Sequence, residues 1–264
     1  MMNFFRGRER GIAFILFAAI TALFIWVYAL APFSELANAI IVNCMTALTA
    51  LIAAALLTRI LFYFQSDEPP FFVWTAFAVC LWLWTIAEGT WGFLYTTVGE
   101  VPIFSFADLL WLVGYVALTV SLVHQYRLVF PGQTYTIRWA ATGVWMAIIA
   151  VIETILIATH STAPFEDFFR YFYTFADTAV GLSALFLVYT FRGRALAMPW
   201  LTISSFVVTD IIYIRLTNTG AYDWVMSGIS VALIADTLYL IAYLIVAWGL
   251  LGQYLLLKNS ANPS

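Results

Sequence analysis

The chain has 264 residues, of which 64% are hydrophobic and only 9% charged, with a formal net charge of −3. Soluble domains carry about a quarter charged residues, so this composition suits lipid rather than water. The acidic balance argues against nucleic acid as a partner. The two cysteines, Cys44 and Cys80, lie inside apolar runs without metal-ligand spacing and read as buried free thiols.

A helix needs about 20 apolar residues to cross a bilayer. Eight such spans are predicted, at 11–32, 36–64, 71–97, 106–128, 139–160, 168–191, 197–217 and 228–257. The first follows the basic stretch Arg6-Gly-Arg-Glu-Arg10 and ends in Ala29-Leu-Ala31, which imitates a secretory signal; it is read as an uncleaved first helix carrying Trp26 and Tyr28 near an interface. The second carries Asn43, Thr46 and Thr49 at near-helical spacing, read as glue between helices. The turn Gln65-Ser-Asp-Glu-Pro-Pro70 breaks the chain before the third span.

That third span holds the densest aromatic segment, Trp82-Leu-Trp-Thr-Ile-Ala-Glu-Gly-Thr-Trp91. Glu88 falls about 25 Å along it at ~1.5 Å per residue, towards the far side. The fourth opens on Phe106-Ala-Asp-Leu-Leu-Trp-Leu-Val-Gly-Tyr115, echoed in the eighth by Ile234-Ala-Asp-Thr-Leu-Tyr-Leu-Ile-Ala-Tyr243. Positions i, i+3 and i+7 share a helix face, so each copy sets a carboxylate and two aromatics on one stripe: Asp108, Trp111 and Tyr115, then Asp236, Tyr239 and Tyr243. Ser105 to Asp108 also fits a capping box, an equally good account of Asp108 alone. The echo suggests two four-helix repeats, 11–130 and 138–257, in one membrane domain covering 1–264. Four spans per unit is an even number, so the repeats run parallel. The expected fold is therefore all-α, eight transmembrane helices in two parallel repeats.

Orientation follows from the basic residues. With the N-terminus cytoplasmic, Arg6, Arg8, Arg10, Arg59, Arg127, Arg138, Arg192, Arg194 and Lys258 lie inside, and Arg170 and Arg215 outside. The expected location is a bacterial inner membrane, multi-pass, with both termini cytoplasmic.

Six acids fall within spans: Glu88, Asp108, Glu153, Asp177, Asp210 and Asp236. All lie between the middle and the outer end of their spans. A carboxylate facing lipid is costly, so these side chains should face protein or water. We expect an outward-opening polar and aromatic cavity built from them together with Trp91, Trp111, Tyr115, Arg215, Tyr239 and Tyr243. The competing expectation is that each acid is tied off separately by caps and interhelical hydrogen bonds. His124 and His160 sit near opposite faces and are read as interfacial side chains, too far apart to share a metal. No metal or cofactor is expected; a lipid or apolar ligand would suit such a cavity.

The run Ala87-Glu-Gly-Thr-Trp91, followed by Pro102-Ile-Phe-Ser-Phe-Ala-Asp-Leu-Leu-Trp-Leu-Val-Gly-Tyr115, resembles the multi-pass N-terminal membrane module of bacterial diguanylate cyclases and sensor kinases. That resemblance implies a sensory role in the membrane or periplasm. The tail Lys258-Asn-Ser-Ala-Asn-Pro-Ser264 supplies no output domain, so the expectation is a stand-alone, non-enzymatic receptor or accessory subunit. Its expected partners are membrane lipids and a membrane protein. Thr209-Asp-Ile-Ile-Tyr213 and Ala235-Asp-Thr-Leu-Tyr239 are also similar to the Asp-bearing helices of the lysoplasmalogenase family. This second resemblance implies a hydrolase acting on a lysolipid, with Asp210 and Asp236 activating water. A transporter or proton path is the third alternative, and the parallel repeat weighs against it.

Overall fold

The computed structural model describes residues 8–99, 101, 104–132, 145, 148, 164–192 and 195–261. Seven long helices are present among them: α1 (Arg8–Leu30), α2 (Glu35–Leu61), α3 (Pro69–Val98), α4 (Phe106–Val129), α5 (Pro164–Thr190), α6 (Met198–Asn218) and α7 (Val231–Ala261). All seven are long and apolar enough to cross a membrane, so the chain is a multi-pass membrane protein. The expected span 139–160, with Glu153 and His160, lies outside the described residues apart from Trp145 and Ile148.

Local chemistry sets the helix ends. Ser34 accepts the N–H of Ala37 at the start of α2. Prolines occupy the first turns of α3 and α6, where their missing N–H costs nothing. Ser105 and Asp108 form a capping box at the start of α4. Before α7 the chain makes a two-residue hairpin instead of continuing the helix. Val225 pairs with Ser230 and Met226 with Ile229, across Ser227 and Gly228, both at positive φ (53° and 83°). Two such residues suit the tight turn of type I′. The helix consequently starts at Val231 rather than 228.

In the bundle α3 lies between α2 and α4, α2 also packs on α7, α7 on α6 and α6 on α5, while α1 leans on α7 and α2. The stripe Ala50, Ala53, Ala54 and Leu57 on α2 is buried, and such small residues let backbones approach in lipid. The α3 and α6 helices meet through rings. Trp74 stacks on Trp200 and Trp84 on Phe206, with centroids 6.5 and 5.1 Å apart. Both pairs advance along their helices together, so α3 and α6 run in the same direction.

The lipid-facing surface is strongly apolar, with Phe14, Ile15, Phe62, Phe93 and Val116 all more than half exposed. Cys80 is buried as expected, but Cys44 is exposed; it sits on the outer face of α2, where lipid rather than protein covers an apolar run. Arg8, Arg10, Arg59, Arg127, Arg192 and Lys258 gather at one end of the bundle, around a contact between Lys258 and Glu9 at 3.1 Å. His124 lies at that end, stacked on Phe72. The described acids of the spans gather towards the other end.

Candidate functional site

At the end opposite the basic residues, the bundle encloses a cavity of about 260 Å³. Every helix from α1 to α7 contributes to its lining, α1 and α5 with one ring each, Phe24 and Tyr173, and the others with at least two residues. Of the expected residues, Glu88, Trp91, Trp111, Tyr115, Asp210, Asp236 and Tyr239 line it. Tyr243 and Asp177 stand directly behind the lining. Asp108 lies beside it, and the exposed Arg215, in the last turn of α6, takes no part in the wall.

The carboxyl groups are held by tyrosines from other elements. Glu88 on α3 is buried, and its Oε1 accepts the hydroxyls of Tyr239 (2.9 Å) and Tyr243 (2.7 Å) from α7. The indole of Trp111 approaches the same carboxyl without completing a hydrogen bond of normal geometry. The Tyr115 hydroxyl of α4 makes a short contact with Asp177 Oδ1 on α5 and lies 3.2 Å from Asp210 Oδ2 on α6. Asp177 and Asp210 also contact each other. One hydroxyl has one proton to donate, so the two carboxyls compete for Tyr115.

Asp236 takes the Tyr222 hydroxyl on both oxygens at 2.9 Å, with Tyr28 of α1 also in contact. Tyr222 sits on a single 3-10 turn, Ala221–Asp223, between α6 and α7. Burial pushes its hydroxyl well above the ordinary tyrosine range, and the neighbouring Tyr213 and Asp236 add to the effect. Asp108 does two things at once. Its Oδ2 accepts the backbone N–H and the hydroxyl of Ser105, both at 2.8 Å, while Oδ1 accepts Tyr173 from α5 at 2.9 Å. Asp108 is a cap tied to an interhelical bond, so its account differs from that of Asp236. Because of the hairpin, Asp236 is the sixth residue of α7, less deep in its helix than the span 228–257 implied.

No family model, curated protein or solved structure matches this chain. The site is therefore read from its own geometry.

Several lining residues were not among the expected set: Asn43, Thr46, Trp84, Tyr173, Phe206, Tyr213 and Tyr222 chief among them. Asn43 and Thr46 were expected to glue helices together. Their polar groups instead bond back to Ala39 O and Val42 O of their own helix, leaving the side chains on the cavity wall. Asn43 also presses on Gly92, where an added Cβ would come within 2.8 Å; only glycine allows α2 and α3 this close. Tyr173 and Tyr213 were legible in principle, since they lie four residues before Asp177 and three after Asp210 on the same faces. Tyr222 carried no signal, because it reaches the site from a loop.

Proposed function

We propose that this chain is a non-catalytic membrane protein that binds a small ligand in the cavity and conveys its presence to a membrane protein partner, as a receptor-like or accessory subunit. The observation that carries this reading is that each cavity carboxyl is held by a tyrosine from a different element. An occupant touching one carboxyl therefore acts on the positions of several helices. The resemblance of the Glu88 to Tyr115 region to sensory membrane modules agrees with this reading, and the basic end is taken as cytoplasmic. We also propose that α1–α4 and the second half are parallel repeats. Support comes from the shared direction of α3 and α6. It also comes from the crossing of Tyr115 to α6 and Tyr243 to α3.

The hydrolase reading is less well supported. It needs Asp210 and Asp236 to converge on one water, whereas Asp210 is engaged with Tyr115 and Asp177, and Asp236 with Tyr222. The test is access. In a background with Cys44→Ala and Cys80→Ala, Thr46→Cys should react with a membrane-impermeant maleimide added on the side of Phe104. Addition on the opposite side should give no reaction. A Phe104→Cys control that labels while Thr46→Cys stays unreactive would remove the ligand reading. Purification in mild detergent, followed by mass spectrometry of co-purifying proteins, checks the subunit role.

A further inference from the structure

The charge and surface of the cavity narrow what it can hold. Its lining includes Glu88, Asp210 and Asp236 and, among the described residues, no Lys, Arg or His. Glu88 is only 7% exposed, and both of its tyrosine partners go to Oε1. Among the described residues its carboxyl takes no further hydrogen bond of normal geometry, the Trp111 indole only approaching it, although that side chain lines the cavity. A buried carboxyl whose second oxygen has only this imperfect approach has room for a better donor or a positive charge. Trp84, Trp91, Trp111 and Tyr239 supply ring surface around it, and aromatic faces attract cations.

Size and chemistry exclude the simpler cations. A single water needs roughly 10–15 Å³ of cavity space, so 260 Å³ holds many waters, far more than a bare ion fills. Calcium and magnesium call for a shell of about six to eight oxygens rather than rings, and no metal-binding group of His, Cys, Asp and Glu occurs among the described residues. Anions would meet carboxyls and the negative faces of rings together.

Resting on the ligand-binding reading above, we infer that the cavity is a cage for a small organic ammonium group, with Glu88 as its counter-ion and the indole and phenol rings packed on its carbon substituents. The group is a free alkylammonium compound or the headgroup of a choline or ethanolamine lipid, since the recognising chemistry is the same.

The experiment uses the full chain with Thr46→Cys in the cysteine-free background and measures protection from maleimide. Choline should halve the labelling rate at a concentration at least about tenfold lower than its uncharged carbon isostere, dimethylbutanol, a difference of ~1.4 kcal/mol. Glu88→Gln should erase that preference, and Glu88→Asp, which keeps the charge, should restore part of it. If Glu88→Gln does not fold, Asp236→Asn carries the same comparison. In lipid nanodiscs, protection by phosphatidylethanolamine but not phosphatidylglycerol assigns the headgroup, and protection by soluble choline alone assigns the free compound. Equal protection by choline and dimethylbutanol overturns the inference while leaving a ligand cavity in place. So does a freely labelled Thr46→Cys that neither choline, tetramethylammonium nor ethanolamine protects. An unreactive Thr46→Cys removes the cavity and the inference together.

Discussion

The two ends of the bundle solve opposite problems. Near the basic end, Trp74, Phe77 and Trp200 stack with centroids 5.9 to 6.5 Å apart, over the buried Leu57, Leu187, Ile203 and Leu250. Polar ties are few there, chiefly Ser121 to Val73 O at 2.8 Å and Tyr126 to Ser183 O at 2.7 Å, and dispersion between close-packed rings and small residues holds most of the interface. At the other end three carboxyls face a 260 Å³ cavity, and hydroxyls from distant helices do the work that packing does elsewhere. In lipid, burying an apolar side chain against protein instead of acyl chains gains little by transfer. A packed end is thus stabilised by shape, and a polar end by satisfied hydrogen bonds. The difference teaches that substitutions at the first end should be read in stability and at the second in ligand response.

The strongest test of that contrast is Trp200→Ala. A void of ~130 Å³ at ~24 cal/mol per Å³ costs about 3 kcal/mol, so thermal denaturation in detergent should shift down by many degrees. A Trp200→Ala protein as stable as the parent would show that the stack is not a structural centre. Gly114→Ala probes the boundary between the ends. Its Cβ would lie 2.3 Å from Nε1 of Trp84, an indole that donates to Trp111 O and lines the cavity. Overpacking of this kind costs ~1–3 kcal/mol. It should also shift tryptophan emission and alter labelling of Thr46→Cys, because Trp84 must move.

Asp236 separates the two kinds of effect at a single position. Asp236→Leu strands the Tyr222 hydroxyl and should cost about 1–3 kcal/mol in thermal stability. Asp236→Asn keeps the shape and an acceptor, so stability should hold while ligand protection falls. If Asp236→Asn changes neither, Asp236 only ties the loop to α7. Ser105→Ala should cost ~1 kcal/mol through loss of the α4 cap, and should be seen first as faster hydrogen exchange in residues 106–110. The smallest effect belongs to the exposed pair of Lys258 and Glu9. Lys258→Ala should leave the melting temperature unchanged, since exposed ion pairs contribute little.

The packed end was largely legible. Apolar run length located all seven described spans. The acids could be placed at one end by counting residues along helices. Their partners were harder to read, because a tyrosine's role depends on which helix faces it. Tyr243 meets Glu88 across 155 residues of sequence, and no periodicity on either helix encodes that pairing. Asn43 packs between helices as expected, against Gly92, but its place and that of Thr46 on the cavity wall were not legible, because the same small polar types serve for glue and for lining. The start of α7 was misplaced because Ile229 is apolar, and hydropathy alone does not register a turn such as Ser227-Gly228. Asp236 appeared deeper in its helix for the same reason.

The long separation between Glu88 and its partners bears on how the chain enters the membrane. Helices that insert in order of synthesis bring Glu88 into the bilayer with α3, while its two hydroxyl donors arrive with α7, 151 and 155 residues later. An unpaired acidic side chain costs up to roughly 2.5–3.5 kcal/mol on insertion scales, the value for a helix centre, and until α7 arrives the apolar run of α3 must offset it. Only when α7 docks does Glu88 gain these two hydroxyl donors. Docking of α7 therefore works as a latch on α3: without it, an acidic side chain stays in the membrane region with no hydroxyl donor from α7.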